Sequence, residues 1–446
     1  MTRDEFEESL AFLHDEAKAK GIDQFDIVGR KSSSLSVSAF GGKVQQTEIS
    51  ESVGIGIRVI IDGAPGYAST ERLTPQCLSQ TLKDAISHCP LSQKTQIDLP
   101  VPQALRDMPS FWNPALEMLE MDQMVRFALD LEKATFDTSS EIENVPHLGF
   151  GVSMDHGWLL NSKGVSHYSR ENSFGVGIGA VALRNGIRKM GVYQRSGRDL
   201  GIAKVEKMSK IVVDRSLELL DAKSIPGGSM PIVFSNRVSG SMIGMFLSAF
   251  HAESVQKGQS RLVGKIGEVI SANCFTLESD PTRLDLPGAT EIDGEGVPTR
   301  RIPLIQDGRL QGFLHNLETA GRAGEPSTGN GSRSYSGKVG TSFHNCVVLP
   351  GTQSEEDLLK LFPKCLHVVK LEGSSGCSAI SGEISIGVQG FLYENGVRVQ
   401  AVDGVTISTN FYDLLMQVVA VSYDYNDSFS SIKIPAFAVD QVSVSA

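Results

Sequence analysis

The chain lacks the short motifs that mark many catalytic sites. None of its 6 cysteines forms a Cys-x-x-Cys pair. No two of its 9 histidines stand at His-Glu-x-x-His spacing, which would set two imidazoles on one helical face. There is no Gly-x-Ser-x-Gly elbow to expose a serine and no Walker loop to cradle a phosphate. No apolar run approaches the ~18 residues of a membrane-spanning helix. The start, Met1-Thr2-Arg3-Asp4-Glu5-Phe6, has neither the basic residues nor the apolar stretch of a secretory signal. Positive charge is also scarce: 41 Lys and Arg stand against 52 Asp and Glu, a net charge of −11. That balance argues against a general nucleic-acid binder, which needs a basic face. These absences predict a cytoplasmic protein with free thiols, no membrane span and no nucleic-acid partner.

What is present is a chain of 446 residues, 40% hydrophobic and 21% charged, long enough to bury a full core without disulfides. Glycine is abundant, at 45 residues, which favours turns and tight strand connections over long bundles. Phe6, Leu10, Leu13 and Ala17 keep helical spacing after Thr2, and Gly21 follows the last turn. Phe25–Val28 and Leu35–Ser38 read as two strands, and Val53–Ile61 as a third that ends at the turn pair Asp62-Gly63. Thr74 and Pro75 open a helix that buries Leu78, Leu82 and Ile86. Another helix is expected over Met121–Thr138.

An internal repeat follows. Val53-Gly54-Ile55-Gly56-Ile57 matches Phe174-Gly175-Val176-Gly177-Ile178, and Asp62-Gly63 matches Asn185-Gly186. Each copy neighbours an amphipathic helix, the later one over Leu200–Leu220. The Gly-x-Gly runs lie inside alternating strands and open no helix, so they signal close backbone packing and not a nucleotide loop. The stretch Ser224–Ser229 reads as a linker. It divides the chain into an N-terminal α+β domain, residues 1–223, with a duplicated β-hairpin and helix unit, and a β-rich, barrel-like domain, residues 224–446. In the second part Asp307-Gly308 and Asn395-Gly396 each separate two strands. Helices are expected near Arg237–Ala252 and after Ser354 and Asn410.

Candidate chemistry is sparse. His251-Ala252-Glu253 reads as a capping or surface group, and His156 as a turn residue. The cluster Asp293, Glu295, Arg300 and Arg301 reads as a solvated turn. The loops Gly329-Asn330-Gly331-Ser332 and Gly373–Cys377 read as tight turns between barrel strands. Nothing near Cys377 in sequence would lower its thiol pKa.

Five segments taken in order resemble the TldD/PmbA family, known as modulators of DNA gyrase and as metallopeptidases. They are Ile292–Arg301, Leu304–Leu310, Ser327–Gly331, Ser378–Gly382 and Phe391–Gly396. The Val53–Ile61 strand is similar as well. TldD-like members carry His-Glu-x-x-x-His on a helix after the linker and a late cysteine. An alignment anchored on Gly264–Glu268 places that motif on Ile243–Ser248. Ile243 and Ser248 then replace the histidines, Gly244 replaces the glutamate, and no cysteine follows Cys377. The chain is therefore similar to the TldE/PmbA branch, which has no metal site of its own.

The resemblance implies no catalytic residue and no cofactor in this chain, with zinc in a TldD-like partner subunit. It implies a heteromeric metallopeptidase (a hydrolase) that degrades or trims unfolded or short peptides, and a homodimer when the chain is alone. Glu295, Arg300, Asn330 and Ser381 are the candidate contacts for peptide or partner. Two other readings compete with it. One is a stand-alone homodimeric scaffold that binds peptides without cleaving them. The other is an enzyme with its own site at His251, Glu253 or Cys377.

Overall fold

The computed structural model describes residues 2–446 as a mixed α+β protein. Local chemistry sets the helix starts. The Thr2 side chain accepts from the Glu5 N–H and the Glu5 carboxylate accepts from the Thr2 N–H, a reciprocal cap that opens the helix Arg3–Ala19. Thr74 caps the helix Pro75–His88, with Pro75 at the first position, where a missing N–H loses nothing. A third helix spans Met121–Thr138. The fourth covers Val205–Leu217, shorter than its apolar pattern, because Asp199 folds Leu200–Ile202 into a separate 3-10 turn.

Six strands form the N-terminal sheet: β1 Gln24–Phe40, β2 Lys43–Ile61, β3 Ala64–Thr70, β4 Ile142–Asn161, β5 Ser166–Arg184 and β6 Ile187–Gly197. Their order is β3-β2-β1-β4-β5-β6, antiparallel throughout. Each half is a helix, three strands and a helix, and the halves join along β1 and β4. The repeat is therefore larger than a hairpin and one helix. Ile55, Ile57 and Val59 face the first helix pair, and Val176, Ile178 and Ala180 face the second, all essentially buried. Burying each of these valine and isoleucine side chains contributes about 1.5–3 kcal/mol before conformational entropy is counted.

Phe25–Val28 and Leu35–Ser38 are one strand and not two. The polar stretch between them stays extended because β2 and β4 pair with it on both sides. All four aspartate- or asparagine-glycine pairs expected as turns adopt the left-handed conformation. Asp62, Asn185, Asp307 and Asn395 have φ of 49–51°, and no other non-glycine residue among those described has positive φ.

The C-terminal part opens with β7, Gly228–Phe234. Five strands close a barrel in the order Val397–Asn410, Glu383–Glu394, Lys364–Glu372, β7 and Phe437–Ser445, and the first and last pair through Thr406 and Ser445. Closure removes free sheet edges. A second five-stranded sheet packs nearby, and one large apolar cluster links it to the barrel. The expected helix near Arg237–Ala252 is broken into Ser239–Gly244, a 3-10 turn Leu247–Phe250 and the short helix Ala252–Gln256. Gly240 and Gly244 weaken a continuous helix. Met242, Ile243, Phe246, Ala249 and Phe250 keep the spacing of one helical face, and all reach the core despite the break.

Candidate functional site

The sheet face opposite the helices meets the C-terminal loops, and there glycine does what the sequence expects of it. A Cβ on Gly54 would overlap the Tyr335 ring, and one on Gly56 would overlap the Tyr335 carbonyl oxygen. The bare strand lets Tyr335 lie directly on it.

Two residues beyond Gly56, Arg58 enters a fully buried ion cluster. Its Nε donates to Asp26 Oδ2 at 3.0 Å and its Nη1 to Glu295 Oε1 at 2.7 Å. Arg333 donates to the other oxygen of Asp26. Glu295 Oε2 accepts the N–H of Leu317 at 2.7 Å. Asp293 lies beside them: its Oδ1 accepts the N–H groups of Glu295 and Val297, both at 2.9 Å, and its Oδ2 accepts that of Gly331 at 2.7 Å. The expected solvated turn is thus corrected. Asp293 is 4% exposed and Glu295 0%, because the turn is clamped between two parts of the chain.

Two arginines balance Asp26 and Glu295, which leaves Asp293 as the surplus acid. Burial, and then the nearby Glu295, push its carboxyl up to about 7. At Asp26 burial opposes the charge, but Arg333 and Arg58 outweigh it and hold the carboxyl below the ordinary range. Arg58, Asp26 and Arg333 escaped sequence analysis. Arg58 did leave one signal: it is the only charged residue in the apolar run Val53–Ile61.

A cavity of about 420 Å³ opens beside the cluster, lined by His156, His167, Glu291, Asp293 and His344 among others. His156 lies within β4 and not in a turn, with Nδ1 2.8 Å from the Tyr168 hydroxyl. His344 Nε2 stands 2.6 Å from the Gly329 carbonyl oxygen. Burial lowers the pKa of all three imidazoles, which favours their neutral forms.

Of the four candidate contact residues, Glu295 and Asn330 come together, both buried. Asn330 Nδ2 donates to Ser342 O at 2.9 Å, and Gly331 packs against the Glu295 carboxylate. Arg300 is exposed and donates to the Ser327 carbonyl at 3.2 Å. Ser381 belongs to a separate turn, where its carbonyl accepts from Asn410 at 2.9 Å.

The residues expected at the zinc-motif positions do not fit a metal. Ile243 is 1% exposed in the core, and Ile432 Cδ1 would lie 3.2 Å from a Cβ on Gly244. Ser248 is exposed on a different turn. Isoleucine and glycine side chains offer no donor. His251 is half-buried with its ring near Phe343, and Glu253 pairs with Lys257 at 2.6 Å. Among the described residues no group of three or more His, Cys, Asp or Glu could hold a metal ion. No helix among them is long and apolar enough to cross a membrane.

Three family profiles match successive parts of the chain: PmbA/TldA metallopeptidase domain 1 over residues 25–89, the central domain over 114–220 and the C-terminal domain over 227–446. The chain belongs to the PmbA/TldD metallopeptidase family. Metalloprotease PmbA of Escherichia coli O157:H7 is 26% identical over 424 residues, covering 94% of this chain and 91% of that protein. A crystallised Thermotoga maritima protein, described as a candidate modulator of a DNA gyrase, superposes with a TM-score of 0.89 at 26% identity and covers 99% of this chain and 100% of its own. TldE from Thermococcus kodakarensis shares the fold, with a TM-score of 0.87 at 24% identity over 98% of this chain and 100% of its own.

Proposed function

We propose that this chain is the non-metal, TldE/PmbA-like subunit of a two-component metallopeptidase that trims or degrades unfolded or short peptides in the cytoplasm. The observation that carries this reading is the chemistry at Ile243, Gly244 and Ser248, where no metal donor set can form and Ile432 covers the glycine. In the TldD-like partner, bound zinc polarises the scissile carbonyl and activates a water. This chain contributes the wall of the shared chamber and restricts entry to extended backbone. Arg300, exposed, and Ser381, half-buried in its separate turn, contact peptide or partner, while Glu295 and Asn330 hold the loops around Arg300. The two functional units divide near Ser224–Ser229, and the chain pairs with itself when no partner is present.

The test is co-purification with a TldD-like chain, then metal analysis and cleavage of a flexible peptide. Cleavage by the mixture alone is expected, with zinc in the partner. Tight zinc at ~1:1 with activity in the isolated chain overturns the reading. Peptide binding without cleavage in every mixture is the outcome expected of a stand-alone scaffold.

A further inference from the structure

Where the helix Val205–Leu217 and β6 meet the C-terminal part, a cavity of about 220 Å³ carries more positive than negative charge in its lining. Arg215 comes from that helix, Arg237 and Ser241 from around the short helix Ser239–Gly244, and Lys370 from the strand Lys364–Glu372. Three cations thus face one acid, Glu218. Arg237 neutralises that acid, its Nη1 donating to Glu218 Oε1 at 2.6 Å. Arg215 and Lys370 are left over, a surplus of two positive charges.

Arg215 is half-buried. Its Nη1 donates to the Val192 carbonyl at 2.8 Å, and its guanidinium carbon stands 5.1 Å from the Tyr193 ring centroid. These contacts orient the group without supplying a formal negative charge. Its Nε is buried without a partner. Lys370, also half-buried, makes no hydrogen bond or ion pair with any described residue. Acids nearby are engaged elsewhere. Asp427, in the adjoining cavity, pairs with Arg195 at 2.9 Å, and Glu372, two residues past Lys370, accepts from Gln389 at 2.6 Å. Burial, and then Arg237, push the pKa of Arg215 below the usual arginine value, the mark of a local positive field. An arginine keeps its proton even so, and an anion relieves the cost of holding it there.

We propose that this cavity binds one tetrahedral oxyanion of the phosphate class, held between Arg215 from the N-terminal part and Lys370 from the C-terminal part. A dianion matches the surplus of two charges. The guanidinium offers planar N–H donors, the ammonium a compact charge, and the Ser241 hydroxyl a further donor. The bound anion then ties the two parts of the chain together across the cavity. This inference goes beyond the subunit reading and does not depend on it.

The experiment is calorimetric titration of the full chain with inorganic phosphate at constant ionic strength, and with glycerol phosphate as an ester. Saturable binding at one site per chain is expected. Lys370→Gln should weaken it about ten-fold, the size of one charge-assisted hydrogen bond, and Arg215→Gln by at least as much. Lys370 has no partner in the chain to lose, so its variant should fold normally even if Arg215→Gln, which gives up the Val192 contact, does not. Lys133→Gln removes an exposed charge from the helix Met121–Thr138 and should bind as the unaltered chain does. Phosphate should also raise the thermal unfolding midpoint of the unaltered chain more than that of Lys370→Gln. The absence of a saturable site overturns the proposal, as does unchanged affinity in a folded Lys370→Gln chain or an equal loss in Lys133→Gln. Tighter binding of the ester supports a phosphomonoester as the ligand, and tighter binding of inorganic phosphate supports the free ion. A site that takes acetate as tightly as phosphate overturns the tetrahedral class.

Discussion

Arg58 and Glu295 are 237 residues apart in sequence and 2.7 Å apart in space, with both side chains fully buried. One strand residue of the N-terminal sheet is thereby tied to the loop Ile292–Arg301 of the C-terminal part. A buried arginine keeps its charge, so the acids around it are structural requirements.

Removing one partner from such a cluster strands the others. Arg58→Met should leave Asp26 and Glu295 buried without full compensation and lower stability by about 3–5 kcal/mol. Urea denaturation reads this as a fall in midpoint. A loss below ~1 kcal/mol would mean that the cluster is hydrated or rearranges freely.

The pH dependence at Asp293 has a definite sign. Its folded-state pKa, about 7, stands above the ordinary value of 3.8. Between those values the folded chain holds a proton that the unfolded chain releases. Its contribution is complete below the ordinary value, declines as pH rises, and is gone above about 7. Asp26 acts oppositely, contributing stability that is lost as pH falls through its depressed pKa. Unfolding midpoints across this range, compared between the unaltered chain and Asp293→Asn, should show the gap shrinking toward neutral pH. A constant gap counts against the assignment.

The two repeats should respond differently to the same change. Gly56→Ala pushes a methyl into the Tyr335 backbone and should destabilise by about 1–3 kcal/mol. Gly177→Ala meets nothing within 4 Å and should stabilise by up to about 1 kcal/mol, because glycine is the costlier residue inside a strand. Equal effects in thermal unfolding would show that the face of the first repeat is not clamped as described.

Restoring the family's metal motif should not restore the metal. Ile243→His, Gly244→Glu and Ser248→His together place two imidazoles and a carboxylate on a chain that bends after Gly244. Ile432 also blocks the central position. No stoichiometric zinc is expected by metal analysis of the triple variant. Zinc at ~1:1 would show that the local backbone readily becomes a continuous helix.

Part of this architecture was settled locally. The caps at Thr2, Thr74 and Ser354 each bond to an N–H three residues away. The four aspartate- or asparagine-glycine turns need only the conformational tolerance of those two residues. The repeat, the closed β-rich second half and the missing donors at Ile243 and Gly244 were legible for the same reason: each depends on residue type at a given spacing.

Partners that are distant in the chain decided the rest. Asp293 and Glu295 read as a solvated turn, since acids beside glycines are usually exposed. They are buried because Arg58 and the Gly331 N–H reach them from elsewhere. Arg30–Ser33 carry no strand pattern, yet pairing on both sides holds them extended. The two glycine-rich strands look alike in sequence, and only tertiary packing covers one of them with Tyr335. Sequence thus determined the local conformations and the side-chain chemistry available at Ile243 and Gly244. The folded chain determined which polar groups are buried and which bare strand remains open, because burial depends on contacts between residues far apart in sequence.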